Sequence, residues 1–171
     1  ISGPVGSASI DGLTITGGNS WNPPSGTSVL KVNGEIIMED HSGGGIIINS
    51  SQFFMKNCVI WKNSAYDSAG GVHMLESFNT TLNHVIISMN TAHNAAGIKI
   101  VDSNPLLGNM LIVENIAKEN SGGVDLWSDA TIINATIARN SAGLYGGGIG
   151  YHPKENVDGI SPSIYNSIIS A

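Results

Sequence analysis

Charge is scarce in this 171-residue chain: 12% of its residues are charged, about half the share usual for a soluble domain. Exposed helix faces are clothed with Glu, Lys and Arg, so the composition argues against a helical protein. Of the few charges, 7 are Lys or Arg and 13 are Asp or Glu, a net of −6. Nucleic-acid binding runs on clustered cations and counterion release, and is excluded as a main role. Cysteine occurs once, at Cys58, which excludes an internal disulfide and a thiolate metal site. Cys58 reads as a small buried apolar residue. No apolar run approaches the roughly 20 residues of a membrane helix, so membrane insertion is not expected. The N-terminal stretch also lacks the charged and apolar regions of a secretory leader. What abounds is glycine, 22 residues of it, with Ile, Val, Ser, Thr and Asn, the residues of short strands and tight turns.

Those residues recur with a period. An aliphatic side chain follows a small-residue pair at Ile46, Val72, Ile98, Val124 and Ile149, with separations of 26, 26, 26 and 25. An asparagine recurs at Asn57, Asn83, Asn109, Asn134 and Asn166, each followed three positions later by isoleucine: Ile60, Ile86, Ile112, Ile137 and Ile169. Ile15 starts the same series, with Gly12 in the asparagine slot. Within each unit the apolar residues alternate with period two, and each unit exposes an apolar face that only a neighbouring unit can cover. Stacked units of about 25 residues with no helical segment form a parallel β-helix. The expected fold is all-β, a parallel β-helix of about six turns. Asn57, Asn83, Asn109 and Asn134 are expected to form a buried amide ladder, and the glycine pairs to mark corners at positive φ.

The unit GGxI, strand, INxxI, then N-S-A resembles the right-handed parallel β-helix repeats of bacterial surface and secreted proteins, including polymorphic outer-membrane-protein passengers and pectate-lyase-like folds. IDGLTITGGN resembles the entry rung of such proteins, and SGGGIIINSS and NSAGLYGGGI continue the likeness over nearly the whole chain. The resemblance implies a right-handed coil and an extracellular or cell-surface location. Its activities span adhesins, lyases and hydrolases.

Ile15 to Ile60 is 45 residues, so an insertion follows the first turn, here placed at residues 19–42. Within it, Asn33-Gly34 between β-rich runs signals a hairpin from Ser28 to Met38. A second, shorter bulge is expected at Pro153 to Asp158. The chain begins without Met and stops inside a ladder strand with no polar cap. Residues 1–171 are therefore read as one β-helix domain within a longer solenoid, its partner being more β-helix or copies of itself end to end.

In the pectate-lyase-like proteins that the chain resembles, the groove lies along the outside of one parallel sheet, so the resemblance places candidate chemistry on that outer face. With Ile46, Ile48 and their equivalents inward, the outward columns are Ile47, His73, Lys99, Asp125, Gly150 and Asn49, Leu75, Val101, Trp127, His152. His73, Lys99 and Asp125 would be a base, a charge neutraliser and a carboxylate, with Trp127 and His152 as a sugar-binding platform. The bland reading is an exposed Lys99–Asp125 ion pair. No set of three acidic residues clusters as a calcium site, so no metal and no cofactor is expected. His84 is expected in the core. A second outward set, Val59, Trp61, Val85, Ile87, Leu111 and Val113, forms an apolar stripe that reads as a contact surface. These features favour a non-enzymatic extracellular scaffold (adhesin, stalk or filament element). The alternative is a carbohydrate-active module, a polysaccharide lyase, glycoside hydrolase or glycan binder.

Overall fold

A computed structural model describes residues 7–20, 30–32, 35–38, 42–49, 52–153 and 161–170. The described residues form strands, turns and bends with no helix, and the long strands pair in parallel between successive coils. Four sheets run along the axis. Sheet 1 has five strands: Ile46–Asn49, Val72–Leu75, Ile98–Val101, Val124–Trp127 and Ile149–Tyr151. Sheet 2 has six, from Ser7–Asp11 to Ser163–Tyr165, and sheet 3 has six, from Thr14–Thr16 to Ile168–Ser170. Sheet 4 has five two-residue strands, from Asn19–Ser20 to Ser141–Ala142. The stack is about four turns, not six: four coils carry a strand in every sheet, and a three-strand partial turn flanks them at either end. The ladder of isoleucines counts partial turns as whole ones, which explains the difference.

The core is built of columns of apolar side chains, two from sheet 1, where Ile46, Val72, Ile98 and Val124 form one of them, and one from each of sheets 2 and 3. Ile48, Met74, Ile100 and Leu126 face inward from sheet 1, Met55, Leu82, Leu107 and Ile132 from sheet 2, and Ile60, Ile87, Ile112 and Ile137 from sheet 3. Each is fully buried, worth about 1.5–3 kcal/mol relative to exposure. Sheet 4 contributes a separate small cluster, Ala65, Ala92, Ala96 and Ala117. Cys58 is buried in the main core, as expected.

One coil departs from the expected register. Ile87, not Ile86, pairs with Ile60 and Ile112, because Val72 to Ile87 is 15 residues where Ile46 to Ile60 and Ile98 to Ile112 are 14. The extra residue lies in the bend after Leu75, where Asn79 takes a left-handed φ of 59° and Phe78 is exposed. One residue fewer between Ile87 and Ile98 restores the 26-residue period. A one-residue slip exchanges the two faces of a strand, so Val85 and Ile87 are core residues with 0% exposure and do not belong to the contact stripe. His84 is displaced likewise: it occupies the exposed left-handed corner shared by Asn57, Asn109 and Asn134, not the core.

The asparagine ladder also differs from expectation. Asn57, Asn109, Asn134 and Asn166 are exposed corner residues with φ of 47–54°, while the buried ladder is Asn63, Asn90, Asn115 and Asn140. There each amide Nδ2 donates to the next Oδ1 (3.1, 2.9 and 2.9 Å), and each backbone N–H donates to that same oxygen (2.9, 3.0 and 3.0 Å). A second acceptor for each Nδ2 is a carbonyl of the coil before, such as Ile60 O for Asn90. One residue type at one position thereby bonds both its own neighbours' amides and backbone groups of the adjacent coil. The glycine pairs serve close approach instead of positive φ: a Cβ on Gly71 would fall 2.5 Å from the Gly97 carbonyl oxygen. The left-handed residues stand just before the pair, at Gly43, Ala69, Ala95, Ser121 and Gly146.

The hairpin is present as Leu30–Val32 paired antiparallel with Glu35–Met38, with Val32 opposite Glu35. Asn33-Gly34 and residues 154–160 of the second bulge lie outside the described residues. Asn19–Ser20 belongs to sheet 4, paired with Ser64–Ala65.

Candidate functional site

Sheet 1 aligns the outward residues in the expected columns. His73 pairs with Lys99, Lys99 with Asp125 and Asp125 with Gly150, while Val101 pairs with Trp127. Their side chains nonetheless part company. Lys99 turns toward the preceding coil, where Nζ donates to Ser68 Oγ at 3.1 Å. His73 is 3% exposed, too enclosed to reach a substrate in solvent.

Asp125 is the centre of what remains. Although it points away from the coil interior, it is 3% exposed, and three groups converge on its carboxylate. Ser121 Oγ donates to Oδ1, Trp127 Nε1 donates to Oδ2 at 2.8 Å, and His152 Nε2 lies 2.9 Å from Oδ1. The next coil leaves room by having no side chain at Gly150, where a Cβ would collide with Ser121 Oγ. A buried carboxylate is tolerated when its oxygens are hydrogen-bonded, and here both oxygens have partners. The Lys99–Asp125 pair expected from sequence is replaced by Asp125–His152.

His152 is the exposed partner, with 37% of its side chain accessible. With Nε2 protonated and donating to Asp125, the remaining ring acceptor is Nδ1. If this face holds a base, geometry assigns it to His152 and not to His73. Its ring stacks on Trp127 with centroids 4.1 Å apart and planes 8° apart. That stacking occupies the indole face toward the following coil and leaves Trp127 presenting an edge, not a free platform, on that side. Ser121 donates to the carboxylate and not to the imidazole, so the three residues do not form a nucleophile–base–orienter relay. Ser121 and Gly150 were missed from sequence. The signal available was the small residue at the left-handed corner before Gly122-Gly123, one coil below a glycine in a column of large side chains.

The apolar stripe on sheet 3 is narrower than expected. Val59, Trp61, Leu111 and Val113 face outward, joined by Ile86 in place of Val85 and by Ser88 in place of Ile87. Trp61 is itself engaged, with Lys62 Nζ 4.3 Å from its ring and Nε1 donating to Met89 Sδ at 3.3 Å. At about 4.8 Å per strand and about 10 Å per three-residue strand, the six-stranded face offers roughly 290 Å² of projected area. A stable interface needs about 800 Å² per partner, so this stripe alone does not supply one. Among the described residues no group of three or more His, Cys, Asp or Glu is placed to hold a metal ion.

Comparison with known proteins gives one match. Residues 4–142 fit the family described as a right handed beta helix region. No curated protein and no solved structure matches the chain.

Proposed function

The chain belongs to the right-handed β-helix family, and from that premise we infer that it is a non-enzymatic scaffold displayed outside the cell or on its surface, as an adhesin, stalk or filament element. The observation that carries this reading is the inner asparagine ladder, which ties coil to coil with three or more hydrogen bonds at each step and makes the stack a continuous rod. A rod built this way extends by adding coils, so its natural partner is further β-helix or another copy end to end. The experiment combines protease shaving of intact cells that express the chain with a polysaccharide depolymerisation screen. Release by shaving with no polymer cleaved supports the scaffold; a chain found only in the cytoplasm, or steady cleavage of a polymer, overturns it.

One observation favours a second reading, a carbohydrate-active face on sheet 1: the imidazole of His152 is held by a buried carboxylate, which is how a general base is oriented. In that case His152→Ala removes the cleavage of a polymer that the wild-type chain degrades, while Lys99→Ala reduces it less.

A further inference from the structure

The resemblance points to sheet 1 as the groove face, yet a different face carries a concavity. Along sheet 4 a groove of about 440 Å³ is lined by Ser64, Thr91, Tyr66, His93 and Lys118, with alanines 65 and 92 beneath. Its origin lies in the sequence: the two-residue strands turn an alanine inward in each coil, and the flanking residues 64, 66, 91 and 93 stand up on either side. This volume falls in the range of about 300–1,000 Å³ typical of small-molecule sites.

Its chemistry is specific. Thr91 Oγ1 donates to Ser64 Oγ at 3.1 Å, which leaves the Ser64 hydroxyl hydrogen, one lone pair on Ser64 Oγ and both on Thr91 Oγ1 for a ligand. Tyr66 supplies an exposed ring against which a sugar's C–H face can pack. Electrostatics then select among polyols. Five cationic side chains are described, and four are engaged: Lys56 with Asp11, Lys62 with Trp61, Lys99 with Ser68 and Arg139 with Glu114. Lys118 is the fifth, exposed and without a partner among the described residues, and it lines this groove. His93 faces Glu119 at 3.1 Å, so that carboxylate is directed at the imidazole. In a chain of net charge −6, a cation that is uncommitted among the described residues and stands beside a row of hydroxyls marks a place for one negative charge on a polyhydroxylated ligand.

We propose that the sheet 4 groove binds a saccharide bearing a single carboxylate, with Lys118 meeting the carboxylate, Ser64 and Thr91 the hydroxyls, and Tyr66 the apolar face of the ring. The proposal does not depend on the scaffold reading; it stands or falls on this groove alone.

The test titrates the full 171-residue chain calorimetrically with a trisaccharide ending in glucuronic acid, and with its neutral glucose counterpart. The acidic sugar is expected to bind at least about tenfold more tightly. Lys118→Met abolishes that preference, Tyr66→Ser weakens both sugars, and Phe54→Ser, at an exposed aromatic on sheet 2, changes neither. Both groove positions are exposed, and a thermal melt checks that each variant folds. The proposal is overturned if neither sugar binds, if Lys118→Met retains the preference, or if Phe54→Ser removes binding instead. Acetate and inorganic sulfate serve as competitors: displacement of the saccharide at equal concentration would show a bare anion site and also overturn the assignment.

Discussion

Two asparagine columns climb this coil, and both pass amide-to-amide hydrogen bonds from one coil to the next. Inside, Asn63, Asn90, Asn115 and Asn140 pass amide hydrogen bonds from coil to coil at 2.9–3.1 Å. Outside, Asn109 donates to Asn83 at 2.8 Å, Asn134 to Asn109 at 3.3 Å and Asn166 to Asn134 at 2.7 Å. The difference is water. An exposed amide that loses its stacked partner turns to solvent, whereas a buried one keeps the full desolvation cost, about 1–3 kcal/mol per group. The outer column also relieves backbone strain, since asparagine accepts the left-handed corner at less cost than most residues. Like amide-to-amide bonds therefore conceal unequal roles, the inner column, which also bonds backbone N–H and C=O groups, stabilising the stack and the outer one easing a turn.

The largest effect is expected inside. Asn115→Leu strands the backbone N–H of Asn90, one of its amide hydrogens and the carbonyl of Ile87, all of which now end on Asn115. The expected loss is about 3–5 kcal/mol in chemical denaturation, at the upper end of single substitutions. A loss below about 1 kcal/mol would show that the inner amides are hydrated and would erase the contrast. Next comes the register of sheet 3. Ile87→Ser should cost about 3 kcal/mol and Ile86→Ser under about 1, because the first opens the core and the second replaces a surface side chain. The reverse order would restore the register read from sequence.

That register shows what the sequence carries and what it hides. Sheet 1 was legible to the residue because the glycine pairs are demanded by backbone contact between coils, as at Gly71, and therefore cannot drift. In the Val72 coil, the inserted residue near Asn79 is offset by one missing before Ile98, so the overall period stays at 26 while the strands between slip by one. Periodicity counts residues per coil and is blind to such offsetting changes within it. The asparagines posed the same problem: both columns have the same period, and only burial separates them. At the candidate site the columns of sheet 1 were legible, but the turn of Lys99 toward Ser68 was not. The closing of Ser121, Trp127 and His152 around Asp125 was equally hidden, because side-chain direction depends on the space left at Gly150.

A smaller effect belongs to the outer column. Asn109→Gly keeps the left-handed corner available while removing both amide bonds, and should change stability by under about 1 kcal/mol. A loss matching Asn115→Leu would mean that the outer amides are as protected as the inner ones.

The smallest effect sharpens the comparison at its one charged rung. Asn57 donates to a carboxylate instead of an amide, reaching Asp11 Oδ1 at 2.9 Å, while Lys56 lies 3.1 Å from Oδ2. The Asn57 hydrogen bond first, and Lys56 second, hold the Asp11 carboxyl below its ordinary value. A carboxyl whose value is depressed on folding adds stability above the unfolded value, and that contribution is lost as pH falls through the folded one. Both side chains of the ion pair are more than half exposed, so the contribution is small and screened by salt. Comparing wild type with Asp11→Asn by thermal melting should therefore show a slight advantage for wild type near neutral pH, shrinking below about pH 4 and in molar salt. Asn57 is the largest single cause and Lys56 acts through both a hydrogen bond and its charge, so Asn57→Gly and Lys56→Ala should each remove part of that pH dependence. If Asn57→Gly leaves that pH dependence unchanged, the outer asparagine is a spectator at this rung as well, and Lys56 alone lowers the Asp11 value.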